Sequence, residues 1–361
     1  MIYNTLTQLT RAGLGLGYEW DPNTTTPWAE LYELASAQGI APIVWDGIER
    51  AESDGCLRIA EIDKSTKLRW ALSVETLTKR YHKQRRVLTK LARFYAERGI
   101  RLMVLKGYGL SLCYPTPEHR SCTDVDIWLF GEQERADEAL RRELNIAIDE
   151  DKHHHTVFHI EGVMFENHYD FLNVESHLSN REIERELKEL AMQAASIDVE
   201  GVTIYTPNAN CHALFLIRHA AAHFAAVEIV LRHILDWAMF IKHNHSAIDW
   251  VWLRRICRQQ NMERFLDVMN MLAAQLCDIE LSLMPDTTRN TALEERVLND
   301  ILHPEFSEKQ PSKGLVRILA YKLRRWWRNR WKHRLVYREG LTMTFLTQLR
   351  SHLLKPKTFK Q

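Results

Sequence analysis

Two aspartates spaced i and i+2 inside an apolar run, Asp124-Val-Asp126-Ile-Trp-Leu-Phe130, constrain this chain more than any other feature. Successive side chains of a strand point to opposite faces, so Asp124 and Asp126 project together from one face. Two carboxylates held that close repel unless a cation sits between them. Mg²⁺ answers that need, because it takes hard oxygen ligands and phosphates. Upstream lies a second apolar run, Leu102 to Leu105, followed by the turn Lys106-Gly107-Tyr108-Gly109. Glycine permits close backbone approach, and amides at a helix start attract phosphate. Residues 101–130 therefore read as strand, glycine turn, short helix, a loop holding Pro115, Pro117 and Arg120, and a second strand.

The 361 residues are enough for two or three domains, and the formal charge of +1 exerts no overall pull toward nucleic acid or membrane. Six scattered cysteines form no C-x-x-C pair, so they support neither a zinc site nor a redox motif. No basic segment followed by an apolar block opens the chain, and no apolar run approaches a membrane span. A reduced, cytoplasmic setting is the expectation.

The chain divides into four stretches. Residues 1–98 form an N-terminal helical region, with helices expected from Thr24–Pro27 to Gly39, from Pro42 to Arg50 and from Thr66 to Arg98. Residues 99–206 form the core. There a helix over 131–145 precedes a hairpin of Thr156–Ile160 and Val163–Phe171, joined by Glu161-Gly162. On its second strand Met164, Glu166, His168 and Asp170 share a face. The run His153-His154-His155 reads as a polar loop entering the hairpin, since three consecutive strand residues cannot all face one ion. A charged helix and a short hairpin around Gly201 close this stretch. Residues 207–310 form a C-terminal helical domain. Within it His219 and His223, and Arg232 and Asp236, each lie four apart on a helix.

Residues 311–361 form a basic, tryptophan-rich tail. Between 315 and 354, seven lysines and arginines from Lys322 to Arg334 interleave with Trp326, Trp327 and Trp331. Such a helix can lie on an anionic membrane, pack on the protein's own body, or grip phosphates with its rings stacked on bases. All three roles are open at this point.

The pattern L-K-G, then Y-P, then Arg120, then D-x-D-I resembles the polymerase-beta-type nucleotidyltransferase superfamily. More closely it resembles the bacterial "uncharacterised nucleotidyltransferase" family. The superfamily usually carries Gly-Ser or Gly-Gly in the turn, whereas this chain has Gly107-Tyr108-Gly109 with Ser111 further on. The resemblance implies an α+β fold: a small mixed β-sheet core flanked by N-terminal and C-terminal helical regions. It also implies transfer of a nucleoside monophosphate from an NTP to an acceptor with release of pyrophosphate. In that reading Asp124, Asp126 and Glu166 bind Mg²⁺ or Mn²⁺, and Glu166 activates the acceptor hydroxyl, with Asp170 as its substitute. Gly107, Gly109 and Ser111 bind phosphates, while Lys106 and Arg120 neutralise the leaving pyrophosphate. His168, Arg232 and Asp236 border the cleft. The acceptor (saccharide, peptide, protein or RNA) is left open, as is peripheral contact of 315–354 with the inner membrane surface. The alternative is an inactive nucleotide-binding or membrane-docked interaction protein.

Overall fold

A computed structural model describes residues 2–21, 25–306, 308, 311, 314–344 and 347. The expected helix start at Thr24 and the end of the tail expected at 354 lie outside these residues. The architecture is α+β. The N-terminal helices are α1 (Ile2–Gly13), α2 (Trp28–Ala37), α3 (Ala41–Ser53) and α4 (Lys64–Ala96). The core follows as β1 (Met103–Val104), α5 (Tyr108–Ser111), β2 (Val125–Trp128), α6 (Gln133–Leu144), β3 (His155–Ile160), β4 (Val163–His168), α7 (Leu178–Ala191), β5 (Ala195–Val199) and β6 (Val202–Thr206). Helices α8 (Ala209–Ala226), α9 (Leu231–Asn244), α10 (Trp250–Gln259), α11 (Glu263–Cys277), α12 (Thr291–Leu302), α13 (Leu315–Arg328) and α14 (Arg330–Val336) complete the described chain.

Side chains in the sequence set the helix starts. Asp63 accepts from Thr66 N at 3.0 Å ahead of α4. Asn208 and Asp249 do the same at 2.9 Å for α8 and α10. Each satisfies an amide that the first helical turn leaves unpaired. The six strands form one mixed sheet in the order β3-β4-β2-β1-β6-β5. Strand β2 runs parallel to β4 and antiparallel to β1.

Strand periodicity sorts the sheet into two faces. Val104, Val125, Ile127, Phe158, Phe165 and Ile204 pack in one core with Leu88, Leu91 and Tyr95 of α4 and Leu140 of α6. The alternate residues Met103 and Trp128 face the other way, into a larger core. That core joins α1–α3 to α7–α12 and α14, so helices from both ends of the chain share one interior. Because Val125 and Ile127 point toward α4, Asp126 between them must point toward the larger helical layer. The same alternation turns Glu166 and His168 away from Phe165 and onto the face of Asp126.

The basic tail divides in two. On α14, Lys332 is 1% exposed and forms an ion pair of 2.5 Å with Asp300 of α12. Trp331 meets Phe224 edge-on, and Arg296 lies 3.8 Å from the Trp331 ring centroid. This half is packed on the body. On α13, by contrast, Leu319, Leu323 and Trp327 remain exposed, spaced four apart along one face.

Helices α1 and α3 touch backbone to backbone. A Cβ built on Gly13 would lie 1.9 Å from Ile43 O, and one on Gly47 1.8 Å from Leu9 O. Neither neighbour is a movable side chain. Gly47→Ala is therefore expected to destabilise the fold by roughly 1–3 kcal/mol or more. Chemical denaturation checks this, and an unchanged unfolding midpoint contradicts the close crossing.

Candidate active site

The acidic cluster is built by strand register. In the parallel pairing of β2 with β4, Asp126 stands opposite Glu166 and Trp128 opposite His168. Ligand atoms of Asp126, Glu166 and His168 all lie within 4.8 Å of one another. His168 Nε2 is 3.1 Å from Asp126 Oδ1 and 3.7 Å from Glu166 Oε2. Its Nδ1 donates to Asp170 O at 3.1 Å, which aims the ring at the carboxylates. Asp124, just before β2, lines the adjoining cleft.

Two cations hold Asp126 ionised. The Lys106 ammonium, at the end of the β1 run, lies 3.2 Å from Asp126 Oδ1 and donates to His219 Nε2 at 2.9 Å. Burial pushes the Asp126 carboxyl up, but Lys106 and His168 outweigh it and hold it well below the usual carboxylate range. Burial likewise opposes the Lys106 charge, yet Asp126, Asp124 and Glu166 raise its pKa. Burial also pushes His168 down, but its contacts with Asp126 and Glu166 raise it to about 9. Asp124 moves upward, first through burial and then through repulsion from Asp126.

Residues of the glycine turn, the Arg120 loop and helices α8 and α9 line a cleft of about 360 Å³. That size lies within the range of small-molecule sites. Gly107 sits at the cleft with φ +61°, a conformation suited to glycine, and a Cβ there would lie 3.0 Å from Cys122 Sγ. Asp126 Oδ2 is buried beside Gly107 without a hydrogen-bond partner. A divalent cation fits this orphaned oxygen, with Glu166 and Asp124 as further carboxylates. Burial is strongly unfavourable for an unpartnered carboxylate oxygen, so the position asks for a cation or a donor.

Several expected site residues have other partners. The Ser111 hydroxyl is buried and donates to Tyr108 O at 2.6 Å, so the short helix consumes it. Gly109 packs under β1, where a Cβ would lie 3.3 Å from Val104 Cγ2, and it does not line the cleft. Strand β4 ends at His168, and the Asp170 carboxylate turns to Lys188 of α7. Arg232 and Asp236, four apart on α9, do not pair with each other. Instead Arg120 of the loop takes Asp236 through two bonds of 2.8 Å, and Tyr114 adds a third at 2.7 Å. Arg120 also donates to Gly107 O at 3.2 Å, tying the glycine turn to α9. Its guanidinium lines the cleft as a buried clamp, whereas phosphate contact had been expected. Arg232 donates to Ser121 O at 2.9 Å.

Histidines carry what the sequence reading underweighted. His219, His223 and His233 all line the cleft, and only the fourfold spacing of the first two signalled it. His155 opens β3 as a buried residue, although a polar loop was expected there. It stands opposite His168 in the antiparallel β3–β4 ladder. Burial and then the His168 charge push His155 down to about 4, and the same two causes push His154 well below its ordinary value.

In metal-free protein the His168 imidazole is expected to titrate at about 9 and to fall in Asp126→Asn. A histidine raised above its ordinary 6.5 contributes stability that is fully present below that value and lost as pH rises through about 9. Histidine NMR titration checks this, and a midpoint near 6.5 contradicts the Asp126–His168 contact.

A search of curated proteins finds no match. One solved structure, an antigenic nucleotidyltransferase-like protein from Paracoccidioides brasiliensis, aligns at 14% identity with a TM-score of 0.31. The alignment covers 44% of this chain and 75% of that one. A family model described as "Uncharacterised nucleotidyltransferase" matches residues 24–278. That span is more than half of the chain and contains the glycine turn, both strands of the acidic cluster and the helices lining the cleft. The protein belongs to the uncharacterised nucleotidyltransferase family.

Proposed function

We propose that this protein transfers a nucleoside monophosphate from an NTP to an acceptor hydroxyl. The acceptor oxygen attacks the α-phosphorus, the bond to the β-phosphate breaks, and pyrophosphate leaves. The observation that carries this reading is the unpartnered Asp126 Oδ2, buried at a cleft beside Gly107 and close to Glu166. Asp126, Glu166 and Asp124 are the residues that would hold Mg²⁺ or Mn²⁺. When bound, that ion neutralises triphosphate charge. Glu166 takes the proton of the acceptor hydroxyl; it is the more exposed of the two carboxylates in the triad, at 20% against 1% for Asp126. Lys106 offers its ammonium to the departing pyrophosphate. Arg120 acts through position, holding the glycine turn against Asp236. Phosphoryl chemistry depends chiefly on such positioning and charge neutralisation.

The acceptor is a saccharide, peptide, protein or RNA. The exposed stripe of Leu319, Leu323 and Trp327 on α13, with Arg324 and Arg328 near it, supports peripheral contact with an anionic membrane surface. Among the described residues no helix is long and apolar enough to cross a membrane.

Pyrophosphate release from each of the four NTPs with Mg²⁺ and cell extract tests the transfer. The double variant Asp124→Asn with Asp126→Asn is expected to abolish release with its circular dichroism unchanged. Glu166→Gln is expected to lower kcat by about 10²–10⁴-fold. Normal release by the double variant overturns the assignment. NTP binding by calorimetry without any release supports a nucleotide-binding protein in its place.

A further inference from the structure

Beside the carboxylates lies a second group of ligand atoms with a different chemistry. One side-chain nitrogen from each of His154, His155 and His168 lies within 4.8 Å of the other two. Ring centroids are 4.4 Å apart for His154–His155, 5.0 Å for His155–His168 and 5.4 Å for His154–His168. The backbone explains how two consecutive histidines converge. His155 belongs to β3, but His154 precedes it. The His154 carbonyl accepts from both Tyr169 N and Asp170 N at 3.1 Å, which pins the turn against the end of β4. His153 lies outside this triad.

Two nitrogens of the group lack partners. His154 Nδ1 and His155 Nδ1 are both buried without a hydrogen bond, and His155 as a whole is 7% exposed. Buried imidazole nitrogens are ordinarily hydrogen-bonded or metal-bound. Glu166 Oε1 lies 3.8 Å from the other ring nitrogen of His155, Nε2.

We propose that His154, His155 and His168 bind a first-row transition-metal ion of the Zn²⁺ class. Imidazole nitrogens suit Zn²⁺ and its neighbours, whereas Mg²⁺ selects oxygen. Zn²⁺ takes imidazole nitrogens at about 2.0–2.1 Å in a tetrahedral set. Its nitrogen donors distinguish it from the oxygen-rich position at Asp126 and Asp124, although His168 belongs to both groups.

Metal-stripped protein titrated with Co²⁺ in the presence of excess Mg²⁺ tests the assignment. One equivalent is expected to bind and to give visible ligand-field bands. His154→Ala and His155→Ala are each expected to weaken Co²⁺ binding at least tenfold, while Asp124→Asn leaves it unchanged. Circular dichroism establishes that each variant is folded. Zn²⁺ added to the unmodified chain is expected to shift the imidazole ¹⁵N resonances of these three histidines, a readout that needs no variant. Missing bands, Co²⁺ affinity retained in both folded histidine variants, or unmoved resonances would each overturn the site.

Discussion

Repulsion between one buried carboxylate and its partly buried acidic neighbours is the constraint around which the core is arranged. Asp126 is 1% exposed on a strand buried along its whole length, and Glu166 faces it from the parallel neighbour. Ionised groups in such a setting require charge partners. The fold brings them from two directions. Lys106 arrives from the end of the β1 run and His168 from the far end of β4. Both approach the same oxygen, Asp126 Oδ1, which leaves Oδ2 bare toward the cleft. The cluster thus has one side satisfied by the protein and one side open to a cation.

Much of this was legible because strand alternation is a local rule. The spacing of Glu166 and His168 places that pair on one face of β4 without knowledge of the partner strand, whereas Asp124 lies just before β2 and outside the group that Asp126 forms with them. The glycine turn, the hairpin at Glu161-Gly162 and the α+β class follow from equally local signals. What escaped the sequence lies in pairings set by tertiary structure. Arg120 and Asp236 are 116 residues apart, and nothing along the chain announces their union. The Ser111 hydroxyl was misjudged because a backbone carbonyl three residues earlier competes for it. Asp170 was misjudged because the strand stops two residues before it, at His168. Past that point the alternation rule no longer governs where a side chain points.

The tail shows how one composition serves two purposes. Basic residues and tryptophans recur throughout α13 and α14, yet Lys332 and Trp331 are fastened to α12 and α8 while Trp327 stays 58% exposed. Burial of Lys332 is tolerable because Asp300 waits for it inside the larger core.

The bonds from Lys106 to His219 and from Arg120 to Asp236 join residues of the sheet region to α8 and α9. A nascent polypeptide that has emerged only as far as residue 206 would already hold Asp124, Asp126 and Glu166 but lack the opposite wall. Synthesis thus supplies the acidic residues first, and the helices that wall the cleft opposite them only once residues beyond 206 have been made.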